Sequence, residues 1–438
     1  MLFNSYVFIL GYLPVVFTVF FLFGKSSHRL AASWLGFASL FFYGWWSIYA
    51  LPLLLASILA NYLFSLPLSS RTNSDKSKKL YLLIAVMSNV MVLGIFKYSN
   101  FFISTANNLI SPHFGWASIP LLNIVLPLGI SFFTFTQIAF LVDTYRGQVK
   151  ETDPIHYLLF VTYFPHLIAG PVLHHKQMMP QFEPGSTYCF NHESVAIGLT
   201  IFCIGLFKKV VIADELAVYA NLVFDGTNAG GKPTFFDAWA GALAYTLQLY
   251  FDFSGYSDMA IGLSRLFNIK LPLNFNSPYK ASSIIEFWRR WHMTLSAFLR
   301  DYIYIPLGGN RNGKIARYRN LMLTMLLGGL WHGAGWTFVL WGGLHGVYLV
   351  INHAWLRFTG GGFGRYLPNP VAILLGVGTT FLAVVIAWVP FRAANFATSV
   401  ELYRGMVGVY GFGLPKNFVP QWAGMPGIFG NVLARGGG

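Results

Sequence analysis

A bundle of membrane-spanning α-helices is the fold class that this 438-residue sequence predicts, on three observations. First, 55% of the residues are hydrophobic and only 10% are charged, whereas a soluble domain carries roughly 25% charged residues. Second, apolar runs of about 20 residues recur, each long enough to cross a hydrocarbon core of roughly 30 Å. Third, the basic residues crowd into alternate connections, so the net charge of +14 reads as membrane topology and not as a nucleic-acid footprint. A β-barrel does not fit, because its strands alternate apolar and polar residues in segments of about ten. Cys189 and Cys203 are too few for a disulfide scaffold, and Cys203, inside an apolar run, is expected to be a small buried hydrophobe.

In chain order, the clear spans are 2–23, 30–46, 51–68, 80–96, 121–142, 155–172, 195–211 and 235–251. Pro14, Pro127 and Pro165 predict kinks, which neighbouring helices must satisfy. Lys25 and Arg29, the linker from Arg71 to Lys79, Arg146 with Lys150, and Lys208 with Lys209 mark one side of the membrane. The connections 47–52 and 99–120 hold no Lys or Arg, which places the N-terminus outside. The first run lacks a basic leader and a small-residue cleavage site, so it is expected to span and not to be removed. From Asp252 to Arg319 polar residues mix with aromatics and no long clean span is expected. Non-helical backbone at membrane depth survives only where it lines a cavity or is covered by protein. Apolar spans resume at 320–331, 336–351 and 371–389. Residues 1–392 therefore read as one transmembrane domain, and 393–438 as a Gly/Pro-rich interfacial tail or a truncation.

The strongest chemical cue is His332 in Gly328-Gly-Leu-Trp-His-Gly-Ala-Gly-Trp336, flanked by Trp331 and Trp336. A helix entering from the basic loop before Asn320 would carry His332 roughly 18 Å into the bilayer, at about 1.5 Å per residue. An ionisable group at that depth is costly and signals function. The surrounding glycines would let a substrate or another backbone come close. A neutral imidazole bonded between helices is the competing reading. His292, in Glu286-Phe-Trp-Arg-Arg-Trp-His-Met, comes next: Glu286 and Arg290 are spaced to pair, and Arg289 would share a helical face with His292. A snorkelling interfacial helix would look the same.

Asp252, Tyr256 and Asp258 put carboxylates and a hydroxyl at the end of a span, suited to orienting an imidazole, binding a cation or capping a helix. Adjacent His174 and His175 cannot both face one site from a regular helix and read as surface residues, while His166 and His345 read as interhelical hydrogen-bonders. No His-Glu-x-x-His, Walker loop or Gly-x-Ser-x-Gly elbow occurs, so no metal or nucleotide-hydrolysing mechanism is expected.

At these residues the sequence resembles the membrane-bound O-acyltransferase (MBOAT) family, and within it the bacterial alginate O-acetyltransferase branch. The likeness runs through Tyr163-Phe-Pro-His-Leu-Ile-Ala-Gly-Pro171, the stretch 251–262, Leu271-Pro-Leu-Asn-Phe-Asn-Ser-Pro-Tyr279, 286–294, 300–311 and 326–341, a motif core of 163–346. The resemblance implies about eleven helices around a central tunnel, with the family's invariant histidine on His332 and its second signature position, His or Asn, on His292. It further implies transfer of an acyl group, in this branch acetyl, from a cytoplasmic thioester towards a secreted polysaccharide through periplasmic partners. Acetyl-CoA is the expected donor substrate, with no bound cofactor. Arg289, Arg290, Arg311, Lys314 and Arg317 would attract its phosphates. His332 would act as general base on the acceptor hydroxyl or accept the acyl group covalently, and His292 would position the donor or polarise its carbonyl. Asp252, Tyr256, Asp258, Trp331 and Trp336 would line the substrate tunnel. A secondary transporter or flippase would also show broken helices and intramembrane Asp and His; a different acyl group or acceptor is the alternative within the family. The expected setting is the bacterial inner membrane, with lipid and a separate periplasmic acetyltransferase as partners.

Overall fold

The computed structural model describes residues 1–114, 118–149, 152–167, 170–360 and 367–413, and among these no strand occurs. The chain divides into two compact units. The first comprises Met1–Phe207, Ser254–Asn276 and His292–Ile303; the second comprises Lys208–Phe253, Ser277–Trp291 and Tyr304–Gly438.

The helices are α1 (Leu13–Gly24), α2 (His28–Trp46), α3 (Leu51–Ser69), α4 (Asp75–Leu93), α5 (Ser99–Phe114), α6 (Ile130–Tyr145), α7 (Pro154–Thr162), α8 (Phe164–Leu167) and α9 (His175–Met178). They continue with α10 (His192–Phe207), α11 (Asp214–Asn228), α12 (Phe235–Leu266), α13 (Ile284–Arg290), α14 (Met293–Leu299), α15 (Gly313–His332), α16 (Trp336–Thr359), α17 (Asn369–Arg392) and α18 (Phe396–Met406). Among the described residues, five helical stretches are long and apolar enough to cross a membrane: Val7–Gly24, Ile48–Ser69, Asp75–Leu109, His192–Asn228 and Asn369–Arg392. Helix starts follow local sequence: Ser27 and Ser74 accept backbone N–H groups of Leu30 and Ser77 and so cap α2 and α4.

In lipid, apolar side chains gain little by meeting one another, so helices associate where small residues let backbones touch. In the first unit, α10 meets the second half of α12 in this way. A Cβ on Gly198 would lie 2.7 Å from the Gly262 carbonyl oxygen, and one on Gly205 would lie 2.6 Å from that of Gly255. Phe3, Phe8, Phe42, Phe164 and Phe267 fill the core of this unit. In the second unit the same device joins α15 to α16: Cβ atoms on Gly329 and Gly342 would lie 2.3 Å from the carbonyl oxygens of Phe338 and Met325.

Several boundaries differ from the expectations. The predicted span 121–142 is helical only from Ile130, because Pro120 and Pro127 remove N–H donors and Gly129 turns left-handed at φ +70°. The predicted span 155–172 breaks at Tyr163, ahead of Pro165. Beyond Asp252, α12 runs on to Leu266, so the broken stretch starts there; it then holds a 3-10 turn at Pro278–Lys280, the short helices α13 and α14 and a π-turn at Arg300–Tyr304 before α15. Within the 393–438 tail, Phe396–Met406 is helical and capped by Asn395; Arg435 to Gly438 lie outside the described residues. Cys203 is exposed and not buried, since α10 turns Gly198, Phe202 and Gly205 inward instead.

Candidate active site

In the second unit, His332 is the last residue of α15, and the chain leaves it extended through Gly333. Gly333 is there for space: a Cβ on it would sit 2.1 Å from the Phe338 ring. Of the two approaches that the glycines could serve, the structure uses Gly329 and Gly333 for α16. The half-buried His332 ring meets the rings of Trp331, Trp341 and Phe391 nearly edge to face, at centroid distances of 4.9, 5.0 and 5.2 Å. Trp341 stacks on Trp388 at 5.6 Å, which fixes this aromatic wall between α16 and α17. Trp336 is 50% exposed.

Beyond Trp341 lies His345, fully buried and 4.9 Å from that ring. It packs against Phe287 and Trp288, and neither of its ring nitrogens has a hydrogen-bond partner. It is thus not the interhelical hydrogen-bonder that its sequence setting suggested.

In the first unit, His292 is 1% exposed. It does not share a helical face with Arg289, because α13 stops at Arg290, Trp291 is extended and His292 is left-handed at φ 43°, ψ 54° before α14 starts. Its Nδ1 lies 3.1 Å from Asn274 Oδ1. Asn274 is itself 1% exposed, and its carbonyl oxygen also accepts the Met293 N–H at 2.9 Å.

The basic residues divide by what already holds them. Arg290 pairs with Glu286 at 2.6 Å, and Arg317 lies 2.9 Å from His353 Nδ1. Arg289, Arg311 and Lys314 are exposed. Burial works to raise the Glu286 pKa, but N–H and O–H donors from Ser282 and the charge of Arg290 outweigh it and hold the carboxyl below its ordinary range. Asp252 is bound by Lys209 at 2.6 Å. Tyr256 stacks on Phe3 at 4.8 Å, and Asp258 is half-buried.

One polar cluster in the first unit escaped the sequence reading. Asp143, with its side chain 2% exposed, receives His174 Nε2 at 2.7 Å, and His175 Nδ1 stands at 3.3 Å from the same oxygen. Tyr302 donates to that oxygen at 2.6 Å. The two histidines are not surface residues of one helix: His174 is the extended residue that caps α9, so its ring and that of His175 can both turn to Asp143. Asp and two His could ligate a cation. However, His174 Nδ1 accepts the Lys176 N–H, so Nε2 carries the ring proton and donates to Asp143. The donors therefore serve a buried carboxylate.

With this geometry in hand, the kinship of the chain is clear. The profile described as "MBOAT, membrane-bound O-acyltransferase family" matches residues 40–361. A peptidoglycan O-acetyltransferase of Helicobacter pylori is 46% identical over 441 residues, covering 94% of this chain and 81% of the relative. A probable alginate O-acetylase, AlgI, of Pseudomonas aeruginosa is 44% identical over 407 residues, covering 93% and 75%. More distantly, a teichoic acid D-alanyltransferase of Bacillus subtilis is 27% identical over 277 residues, covering 61% of this chain and 67% of the relative. This all-helical chain belongs to the membrane-bound O-acyltransferase family and is an acyltransferase enzyme.

Proposed function

We propose that this protein acts as one transmembrane domain over residues 1–392, in the bacterial inner membrane with its N-terminus outside. There it moves an acetyl group from cytoplasmic acetyl-CoA towards the hydroxyls of a secreted polysaccharide. The observation that carries this reading is the near full-length likeness to two O-acetyltransferases whose names specify envelope or secreted polysaccharides. The setting of His332 at a helix end, in a half-buried aromatic recess, supports its part in the chemistry. In the step proposed, His332 takes the proton of the acceptor hydroxyl, the oxygen attacks the thioester carbonyl, and the C–S bond breaks. The thiol then leaves with that proton. His292 positions the donor. Arg289, Arg311 and Lys314 meet its phosphates, with Arg290 and Arg317 reaching them only by leaving Glu286 and His353. Asp252, Tyr256, Asp258, Trp331 and Trp336 shape the path.

A hydrated polymer would lose many hydrogen bonds on entering so apolar a chain, at a few kcal/mol for each group left unpaired. A separate periplasmic acetyltransferase is therefore proposed to collect the acyl group outside. The test uses proteoliposomes with labelled acetyl-CoA. Label should reach a small hydroxyl acceptor with this protein alone and reach polymer only when the partner is added. Transport of an intact solute without acyl transfer would replace this reading by a carrier, and polymer acetylation by the protein alone would remove the partner. For orientation, a cysteine at Lys76, in a chain with Cys189 and Cys203 replaced by serine, should resist an impermeant reagent in whole cells. One at Ser118 should react.

A further inference from the structure

The three residues from His292 to Thr294 all bind one buried residue, Asn274: His292 and Thr294 meet its side-chain Oδ1 and Met293 its backbone carbonyl, and the hydrogens on the side-chain network have only one consistent arrangement. The Thr294 backbone N–H points at Asn274 Oδ1 at 3.3 Å. A backbone N–H can only donate, so that atom is the amide oxygen and not the nitrogen. Thr294 Oγ1 accepts the Val172 N–H at 2.9 Å, which leaves its own proton for Asn274 Oδ1, also at 2.9 Å. The amide nitrogen faces Ser257 Oγ at 3.4 Å. His292 Nδ1, at 3.1 Å from that same Oδ1, therefore faces an acceptor and must bring a proton to it.

We infer that Asn274 is a positioning residue that fixes His292 in the tautomer with its proton on Nδ1, so that Nε2 presents a lone pair. In its neutral form His292 then offers an acceptor nitrogen: it can receive a proton or a hydrogen bond from the substrate, but has no N–H at Nε2 with which to polarise a carbonyl. This narrows the role proposed for His292 above, and rests on that reading where catalysis is concerned. The backbone agrees with it. A non-glycine residue at φ +43° is strained, and such strain is retained where surrounding structure imposes it. Here Asn274 imposes it, through Nδ1 of residue 292, N of 293 and both polar groups of 294.

The test reads the tautomer directly. In protein labelled with ¹⁵N-histidine and reconstituted in lipid, the His292 signals, assigned by their loss in His292→Gln, should show a protonated Nδ1 and an unprotonated Nε2. Asn274→Asp keeps an acceptor facing both Nδ1 and the Thr294 N–H, so it should preserve this pattern and keep turnover within about tenfold of the parent. Asn274→Leu should scramble the pattern and lower turnover by about 10²-fold or more, at equal folded protein as judged by thermal unfolding. A protonated Nε2 in the parent, or an unchanged pattern in Asn274→Leu, overturns the inference. Full activity of His292→Gln with the expected tautomer in the parent would instead overturn the catalytic role of His292 and leave the positioning by Asn274 standing.

Discussion

His292 and His332 occupy parts of the chain built on opposite plans. His292 is enclosed, hydrogen-bonded at Nδ1 and held on a strained left-handed residue between two helices of seven residues each. His332 is half-buried at the end of a 20-residue helix, and its ring packs nearly edge to face against Trp331, Trp341 and Phe391. Hydrogen bonds fix a ring's rotation and its tautomer, whereas aromatic contacts fix its place and leave its nitrogens to other partners. One histidine is thus preset in its protonation pattern, and the other is shaped for access.

Making the same substitution at both positions is the sharpest way to break this comparison. His332→Phe keeps a ring against the aromatic wall, so stability should change by less than about 1 kcal/mol. Turnover should fall by about 10²- to 10⁴-fold, the usual worth of a general base. His292→Phe should also lose activity, but in addition it takes one donor from the buried Asn274 Oδ1, at about 1–3 kcal/mol of stability. Thermal unfolding in detergent beside turnover separates the two. Equal loss of stability at both sites would mean that the two histidines are held in the same way, and activity within about threefold of the parent in His332→Phe would remove His332 from the chemistry.

The second prediction concerns the wall around His332. Gly333→Ala would place a methyl group 2.1 Å from the Phe338 ring, and overpacking of this kind costs about 1–3 kcal/mol. Gly335→Ala meets the same ring at 3.5 Å, an ordinary contact, and should be nearly neutral. Gly333→Ala with Phe338→Leu should recover part of the loss. If Gly333→Ala is silent in both stability and turnover, the glycine is not reserved for α16.

What the sequence made legible follows from the range over which the forces act. Hydropathy is local, so most helices stood within a few residues of their predicted places. Some failures fall where proline and positive-φ glycine override it, as at 120–129; others are helices too polar to stand out as apolar spans, α5 inside the predicted connection 99–120 and α11, which was predicted nowhere. The motif around His332 was legible because its glycines, tryptophans and histidine are consecutive. The Asp143 cluster was not, since its members lie at 143, 174, 175 and 302 and meet only through folding. Adjacency misled there, because the exclusion of a shared site for His174 and His175 assumed a helix where His174 is extended. Asn274 stood inside a quoted motif, yet its role depends on the left-handed turn at His292, 18 residues on, and no hydrophobic periodicity announces that turn.

The Asp143 cluster gives the third prediction and a control within the unit that holds His292. Asp143→Asn retains shape but brings an NH₂ group towards donors already aimed at the carboxylate. It should cost about 1–3 kcal/mol, with Tyr302→Phe costing about 1 kcal/mol. Turnover per folded molecule should stay within about threefold of the parent, because this network serves stability. A large fall in turnover at unchanged stability would instead place the cluster in the chemistry.

The smallest effect is expected on α13, the helix whose end leads into His292. Glu286 accepts from Ser282 N and Oγ, each at 2.8 Å, and pairs with Arg290 at 2.6 Å. Glu286→Gln retains an acceptor for Ser282 and removes only the charge. Both side chains of the pair are 31% exposed, so solvent screens the interaction and its worth should be about 0.5 kcal/mol. The sign with pH follows from the direction of the shift. The folded-state pKa is lowered from an ordinary value near 4.5, so the ionised group stabilises the fold fully above that value, and the contribution fades as pH falls through the lowered pKa. The gap in unfolding temperature between parent and Glu286→Gln should therefore be present at neutral pH, shrink in high salt and close in acid. A gap of the same size at every pH would mean that the carboxylate contributes by packing and not by charge, and α13 would then owe nothing to this ion pair.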